Sequence, residues 1–307
     1  MTCPERDRRG TVIGMTFNSN AELGETTARR RGRGGVVAGG VGVLGLGGLA
    51  LLLLNIFTGG DLAGLFGGPG AEGTAAPAGE SVIENCDTGD DANESDDCRL
   101  VFGQRVLDGY WDDQVDGYRP PQLIIVDGQT STRCGTASNA TGPFYCPPEE
   151  TIYMDPTFFA LLREQYGAQG GDLAQLYVLA HEYGHHIQQI VGIFDRYPGN
   201  GSGPESNGVR TELQADCFAG AWVAAAANET DANGVAYLQP PTEAQLRDAL
   251  NAAATVGDDH IQQQSSGSTN PESWTHGSSE QRQRWFATGY QYGLDRCDTF
   301  APSGSDL

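Results

Sequence analysis

Five side chains in two short stretches have the types and spacing of a metal centre. In Leu179-Ala180-His181-Glu182-Tyr183-Gly184-His185-His186, two histidines stand four residues apart. On an α-helix that spacing puts both imidazoles on one face, a turn apart, where they can share one zinc ion. Glu182 is rotated by about 100° from His181, so it can reach a water on that ion without binding the metal itself. Gly184 costs the helix roughly 1 kcal/mol relative to alanine, which points to another backbone passing close by. Catalytic zinc usually takes three protein ligands and keeps one position for water. The third is expected from Thr211-Glu212-Leu213-Gln214-Ala215-Asp216, where Glu212 and Asp216 are again four apart on one face. Glu212 is assigned as the ligand. Asp216 is assigned to accept a hydrogen bond from a ligand histidine's other ring nitrogen, fixing its tautomer. The reverse, with Asp216 on the metal, stays open. Such a site hydrolyses a bond with metal-activated water, Glu182 serving as general base.

Positioning these groups requires two helices. One spans about residues 173–190, with Leu173, Leu176, Tyr177, Ala180 and Gly184 at helical spacing on its buried face and a capping-box-like start at Asp172-x-x-Gln175. The other is the Ala-rich stretch 211–227. Thr242-x-x-Gln245 and Ser278-x-x-Gln281 cap two further helices, to about residues 256 and 292. A first helix is expected over 101–111 and another over 158–166, after Asp155-Pro156. Residues 122–126 and 150–154 read as strands. The segment between Cys134 and Cys146 and the segment 195–208 read as loops.

The 307-residue chain carries a net charge of −22 and has no lysine. Residues 58–307 hold eleven arginines against thirty-six acids. So acidic a body lacks the basic footprint that nucleic acid requires, and no nucleic-acid partner is expected. Residues 1–35, polar and rich in arginine and glycine, read as a disordered cytoplasmic tail, with Met15 an alternative start. Residues 36–57 carry no charge and are long enough for a transmembrane helix. Arg29, Arg30, Arg31 and Arg33 precede the span and Asp61 follows it. The positive-inside rule therefore predicts a single-pass cell-membrane protein with a cytoplasmic N-terminus and an extracytoplasmic body. Residues 58–97 read as a flexible acidic linker, 98–300 as the folded domain and 301–307 as a tail; folding would begin nearer Val82 if Cys86 pairs with Cys98. Six of the seven cysteines follow the apolar segment and none forms C-x-x-C, which suggests disulfides in an oxidising compartment.

Three separate motifs resemble the putative neutral zinc metallopeptidase family of bacterial membrane-anchored proteins. They are His181-Glu-Tyr-Gly-His185-His186-Ile-Gln188, Glu212-Leu-Gln-Ala-Asp216-Cys-Phe-Ala-Gly220, and Thr275-His276-Gly277-Ser-Ser-x-Gln281-Arg-x-Arg-Trp285-Phe286. Cys134-Gly-Thr-Ala137 with Gly142-Pro-Phe-Tyr-Cys146 is similar too. The resemblance covers about residues 98–300. It implies a zincin-type domain with two histidines and one glutamate on one catalytic Zn2+, acting on peptides or proteins. The expected fold class is therefore α+β: a mainly helical zincin-like metallopeptidase domain with a small β-sheet, preceded by one transmembrane helix. His276, just before a capped helix, is a candidate catalytic group that stabilises an oxyanion or supports a ligand. His186 points off the ligand face and reads as structural or solvent-facing; Arg282 and Arg284 read as helix-surface or ion-pair residues. Cys86–Cys98, Cys134–Cys146 and Cys217–Cys297 are the preferred pairs among fifteen connectivities. The alternative function is a non-catalytic, zinc-stabilised extracytoplasmic binding module, whose metal would be closed by a fourth protein ligand.

Overall fold

The computed structural model describes residues 16–32, 79–166, 171–199 and 201–307. In chain order the elements are β1 (Arg29–Arg31), β2 (Glu80–Val82), α1 (Gly89–Glu94), α2 (Asp96–Gln114), β3 (Gln122–Val126), β4 (Gln129–Thr132), β5 (Gly135–Ser138), β6 (Phe144–Cys146) and β7 (Thr151–Met154). The helices α3 (Thr157–Tyr166), α4 (Asp172–Ile190), α5 (Ile193–Arg196), α6 (Asn207–Ala225), α7 (Glu243–Thr255), α8 (Asp258–Ser266) and α9 (Ser279–Tyr292) follow. This is the expected α+β class, mainly helical with a small mixed sheet. That sheet runs β2-β1-β3-β7-β6. β1, β3 and β7 are parallel; the edge strands β2 and β6 are antiparallel to their neighbours.

Local signals explain most of these elements. Thr242 with Gln245 and Ser278 with Gln281 form the expected capping boxes of α7 and α9. Asp155 accepts the Thr157 N–H at 2.9 Å, starting α3. Asp172 does not cap α4, whose N-cap is Gly171. Its carboxylate instead meets Arg99 at 3.2 Å, and Gln175 turns to Arg99 and Asp96. A tertiary cation has outcompeted the local box. Most of the segment expected as a loop between Cys134 and Cys146 is strand, β5 pairing with β4 and β6 with β7.

The helices around the site pack at unusually short range. A Cβ added to Gly289 of α9 would lie 1.8 Å from the Cys217 carbonyl oxygen, and one on Gly220 of α6 would lie 2.0 Å from that of Phe286. Glycine at both crossings lets α6 and α9 touch backbone to backbone. Gly184 meets α6 in the same way, its notional Cβ falling 3.0 Å from Ala215 Cα. That approach is the one its helix-breaking cost implied.

The N-terminal segment departs from expectation. Residues 16–32, inside the stretch expected as a disordered tail, are built into the domain. Phe17 is fully buried, edge-on to Phe102 with ring centroids 5.4 Å apart, and Ala21, Leu23 and Ala28 join the same core. Backbone bonds run from Asn18 N to Tyr237 O and from Leu23 N to Asp87 O. The expected linker and C-terminal tail need the same correction. Residues 79–97 contribute β2, α1 and Cys86, and Leu307 is buried, its carbonyl accepting from Arg284. Four apolar side chains in seventeen residues make no periodic pattern, which is why the arm reads as disordered; its order comes from long-range pairing.

The expected transmembrane stretch, residues 36–57, lies outside the described residues, among which no helix is long and apolar enough to cross a membrane. Its two flanks are nevertheless informative. β1 precedes the stretch, β2 follows it, and they are hydrogen-bonded neighbours in one sheet. Two of the four arginines that suggested a cytoplasmic N-terminus are ion-paired to the domain, Arg30 with Asp97 and Arg31 with Glu80. A single crossing would part these strands, so a cytoplasmic N-terminus and an extracytoplasmic body are incompatible with this sheet. The paired strands β1 and β2 therefore share one side of any membrane. In a Cys3→Ser background, the pair R30C/S81C, which occupies partnered positions, should be joined in whole cells by a short, membrane-permeant bis-maleimide. Cross-linking seen only after detergent extraction would restore the single-pass topology.

Candidate metal centre

α4 and α6 cross with their polar groups facing inward. His181, His185 and Glu212 are buried, and their ligand atoms lie within 4.8 Å of one another. Glu212 Oε2 is 3.2 Å from His181 Nε2 and Glu212 Oε1 is 3.5 Å from His185 Nε2. The two imidazole centroids are 4.7 Å apart and nearly perpendicular. Three of the expected residues, from two helices, thus converge on one point.

The far side of each imidazole is also fixed. His181 Nδ1 lies 2.8 Å from Asp216 Oδ1, the partner expected from sequence. His185 Nδ1 lies 2.9 Å from Gln188 Oε1, and the Gln188 amide nitrogen donates to the Thr211 carbonyl at 2.7 Å. Since that carbonyl can only accept, the amide's orientation is set and its oxygen must take the His185 proton. Both rings therefore carry hydrogen on Nδ1 and turn Nε2 to the shared point. The sequence reading gave Gln188 no role, although its position three residues after His185 could have suggested one.

Arg282 is the larger surprise. Of its two expected places, a helix surface or an ion pair, it takes the second, but buried behind the site. It donates from Nε to Asp216 Oδ2 at 2.8 Å and from Nη2 to Asp216 Oδ1 at 2.9 Å. The Tyr177 hydroxyl donates to the same carboxylate at 2.5 Å. Asp216 thus stays ionised despite complete burial, with Arg282 and His181 holding its pKa below the usual value. Arg284 does sit at the surface, paired with Glu280 at 2.9 Å.

The electrostatics call for a cation. Burial works against a charged His181, yet the Asp216 and Glu212 carboxylates outweigh it and raise its pKa to about 10. Burial likewise opposes charge on Glu212, but the facing His185 and His181 hold its pKa far below the ordinary range. A metal ion would take the place of the second His181 proton, and two imidazole Nε2 atoms with one carboxylate, buried and preorganised, match the donor set of a catalytic zinc site.

Glu182 lies beside this group. Its Oε2 accepts the backbone N–H of Tyr145, on edge strand β6, at 2.8 Å, and burial raises its pKa. His276 lines the same cavity. Its Nδ1 is 2.9 Å from Thr275 Oγ1 and 3.2 Å from Asp258 Oδ1. Asp258 Oδ2 also accepts the backbone N–H groups of Thr275, His276 and Gly277 at 2.7, 2.6 and 3.0 Å, fixing the loop that carries the histidine. No local motif marked Asp258, whose partners lie seventeen to nineteen residues on. His186 is structural, buried between the Tyr145 hydroxyl and the Arg119 carbonyl.

The three disulfides are those preferred from sequence: Cys86–Cys98, Cys134–Cys146 and Cys217–Cys297. The last ties the segment after α9 to α6, the helix that carries Glu212. There Gln214 donates to the Cys297 carbonyl at 3.0 Å and accepts from Gln188 at 3.1 Å.

Comparison with known proteins bears on this arrangement. The sequence profile of the family described as putative neutral zinc metallopeptidase matches residues 15–300, the N-terminal arm included. An uncharacterized protein of Mycobacterium tuberculosis is 48% identical over 227 residues, 73% of this chain and 77% of its own. The uncharacterized protein YpfJ of Escherichia coli is 36% identical over 301 residues, 94% of this chain and all of its own. No solved structure gives a significant match.

Proposed function

The chain belongs to the putative neutral zinc metallopeptidase family, and on that premise we propose that it hydrolyses peptide bonds outside the cytoplasm, with His181, His185 and Glu212 holding one Zn2+ and Glu182 as general base. The observation that carries this reading is the convergence of three buried donors, the two histidines with Nδ1 already committed, and of a second carboxylate, Glu182, at the same cavity. Bound zinc supplies Lewis-acid chemistry, acidifying water and polarising the scissile carbonyl.

The chain's own groups do the rest. Glu182 is held by the Tyr145 N–H through one oxygen. Its other oxygen is available to take a proton from the attacking water and pass it to the leaving amine. A raised pKa suits a group that must both accept and release that proton near neutrality. His276, oriented by Asp258, faces the same cavity and stabilises the oxyanion that develops on the carbonyl. Asp216 and Gln188 fix the tautomers of the ligands.

A non-catalytic zinc module would close its metal with a fourth protein ligand. Among the described residues the ligand group has three members, which favours the catalytic reading. The three disulfides support an oxidising compartment. We propose that the apolar stretch 36–57 holds the protein at a membrane, with both its flanks on the domain's side. The acidic body, with a chain charge of −22, argues for a peptide partner over nucleic acid.

The direct test is metal removal. Purified protein should bind one zinc per chain by native mass spectrometry. A strong chelator should abolish cleavage of a denatured protein substrate, and one equivalent of zinc should restore it. Cleavage that persists in the metal-free protein would defeat the proposal.

A further inference from the structure

The triad, Glu182 and His276 open on one cavity of about 90 Å³. Beyond those groups its walls are largely apolar. Phe158 comes from α3, Val178 from α4, and Val256 and Ile261 from the junction into α8 and from α8 itself. Val178 stands one helical turn before His181, so the apolar wall adjoins the ligand face.

Apart from the triad, Glu182 and His276, the charged groups lining the cavity are Asp258 and Arg282, and both are engaged elsewhere. Asp258 is spent on His276 and three backbone N–H groups, and Arg282 on both oxygens of Asp216. A charged guest side chain would lose its water and gain no partner. An apolar one would gain about fourfold in binding for each buried methylene. Size narrows the choice, since a pocket of about 150 Å³ holds benzene. A cavity of about 90 Å³ suits a branched aliphatic side chain better than an indole.

We propose that this cavity is a specificity pocket that takes the side chain of one residue at the scissile bond, and that it selects leucine-like aliphatic residues over charged ones and over tryptophan. The proposal rests on the metallopeptidase reading and adds to it the class of bond cut.

Binding can test it without turnover. Zinc uptake is measured first. The zinc-loaded protein is then titrated calorimetrically with succinyl hydroxamates that differ only in the side chain: hydrogen, isobutyl, carboxymethyl or indolylmethyl. The isobutyl compound should bind tighter than the hydrogen compound by on the order of a hundredfold, with carboxymethyl and indolylmethyl gaining nothing over hydrogen. Ile261→Trp should fill the cavity and cut the isobutyl-to-hydrogen ratio at least tenfold. Ile261→Ala should enlarge it and raise the relative affinity of the indolylmethyl compound. Zinc uptake followed by binding that ignores the side chain, or that favours carboxymethyl, overturns this proposal alone. A protein that takes up no zinc overturns the metallopeptidase reading and this proposal with it.

Discussion

Glu182→Gln is expected to retain one zinc per chain and to lose about 10²–10⁴-fold or more in peptide hydrolysis, the range attributable to a positioned general base. The substitution is nearly isosteric. The glutamine oxygen can still accept the Tyr145 N–H that holds the native side chain at 2.8 Å, so the fold should not notice it. Zinc should not notice it either, because the converging donors are His181, His185 and Glu212 and do not include Glu182. What disappears is a group able to carry a proton. Native mass spectrometry of the variant and its cleavage rate, measured side by side, separate the two roles. Undiminished cleavage would remove Glu182 from the chemistry. Loss of zinc would show that it supports the metal.

Asp216→Ala should be the more damaging change to the molecule as a whole. It strands the buried Arg282 guanidinium and deprives His181 Nδ1 of its acceptor. Breaking a buried ion pair from one side costs about 3–5 kcal/mol, and losing the acceptor behind a metal-ligating histidine costs about 10–100-fold in metal affinity. The two effects can be separated. Asp216→Leu combined with Arg282→Met removes both charges and should recover most of the stability, while zinc affinity stays low because His181 still lacks its partner. Chemical denaturation of the metal-free proteins and zinc titration of each read the two quantities independently. If Asp216→Ala unfolds at the wild-type denaturant concentration, the buried pair is not the support described here.

The grouping of His181, His185 and Glu212 was legible because its geometry is local. Four-residue spacings on two helices set His181 against His185 and Glu212 against Asp216, and helix geometry fixes what each faces. The capping boxes at Thr242 and Ser278 and the two short-range disulfides were legible for the same reason. Arg282 was not, because nothing within its own polar helix distinguishes it from Arg284; only the approach of α6, through Gly220 and Gly289, buries it against Asp216. β1 was missed because Arg-Arg-Arg has no strand pattern. It becomes a strand where neighbours supply hydrogen bonds along both edges, while Asp97, Glu80 and the Tyr153 ring receive its side chains.

That small strand governs how the chain can be shortened. Read from sequence alone, everything before residue 58 looks dispensable for a soluble fragment. In the folded protein, deleting it withdraws an interior strand from the sheet. β2 loses its only partner among the described residues, and β3 is left with a bare edge facing the gap. The same cut empties the place of Phe17 against Phe102. Unpaired strand edges recruit other chains, so a fragment trimmed for solubility would carry a new surface for self-association. The alternative that spares the sheet is to keep residues 16–32 and replace only the apolar stretch with a polar linker.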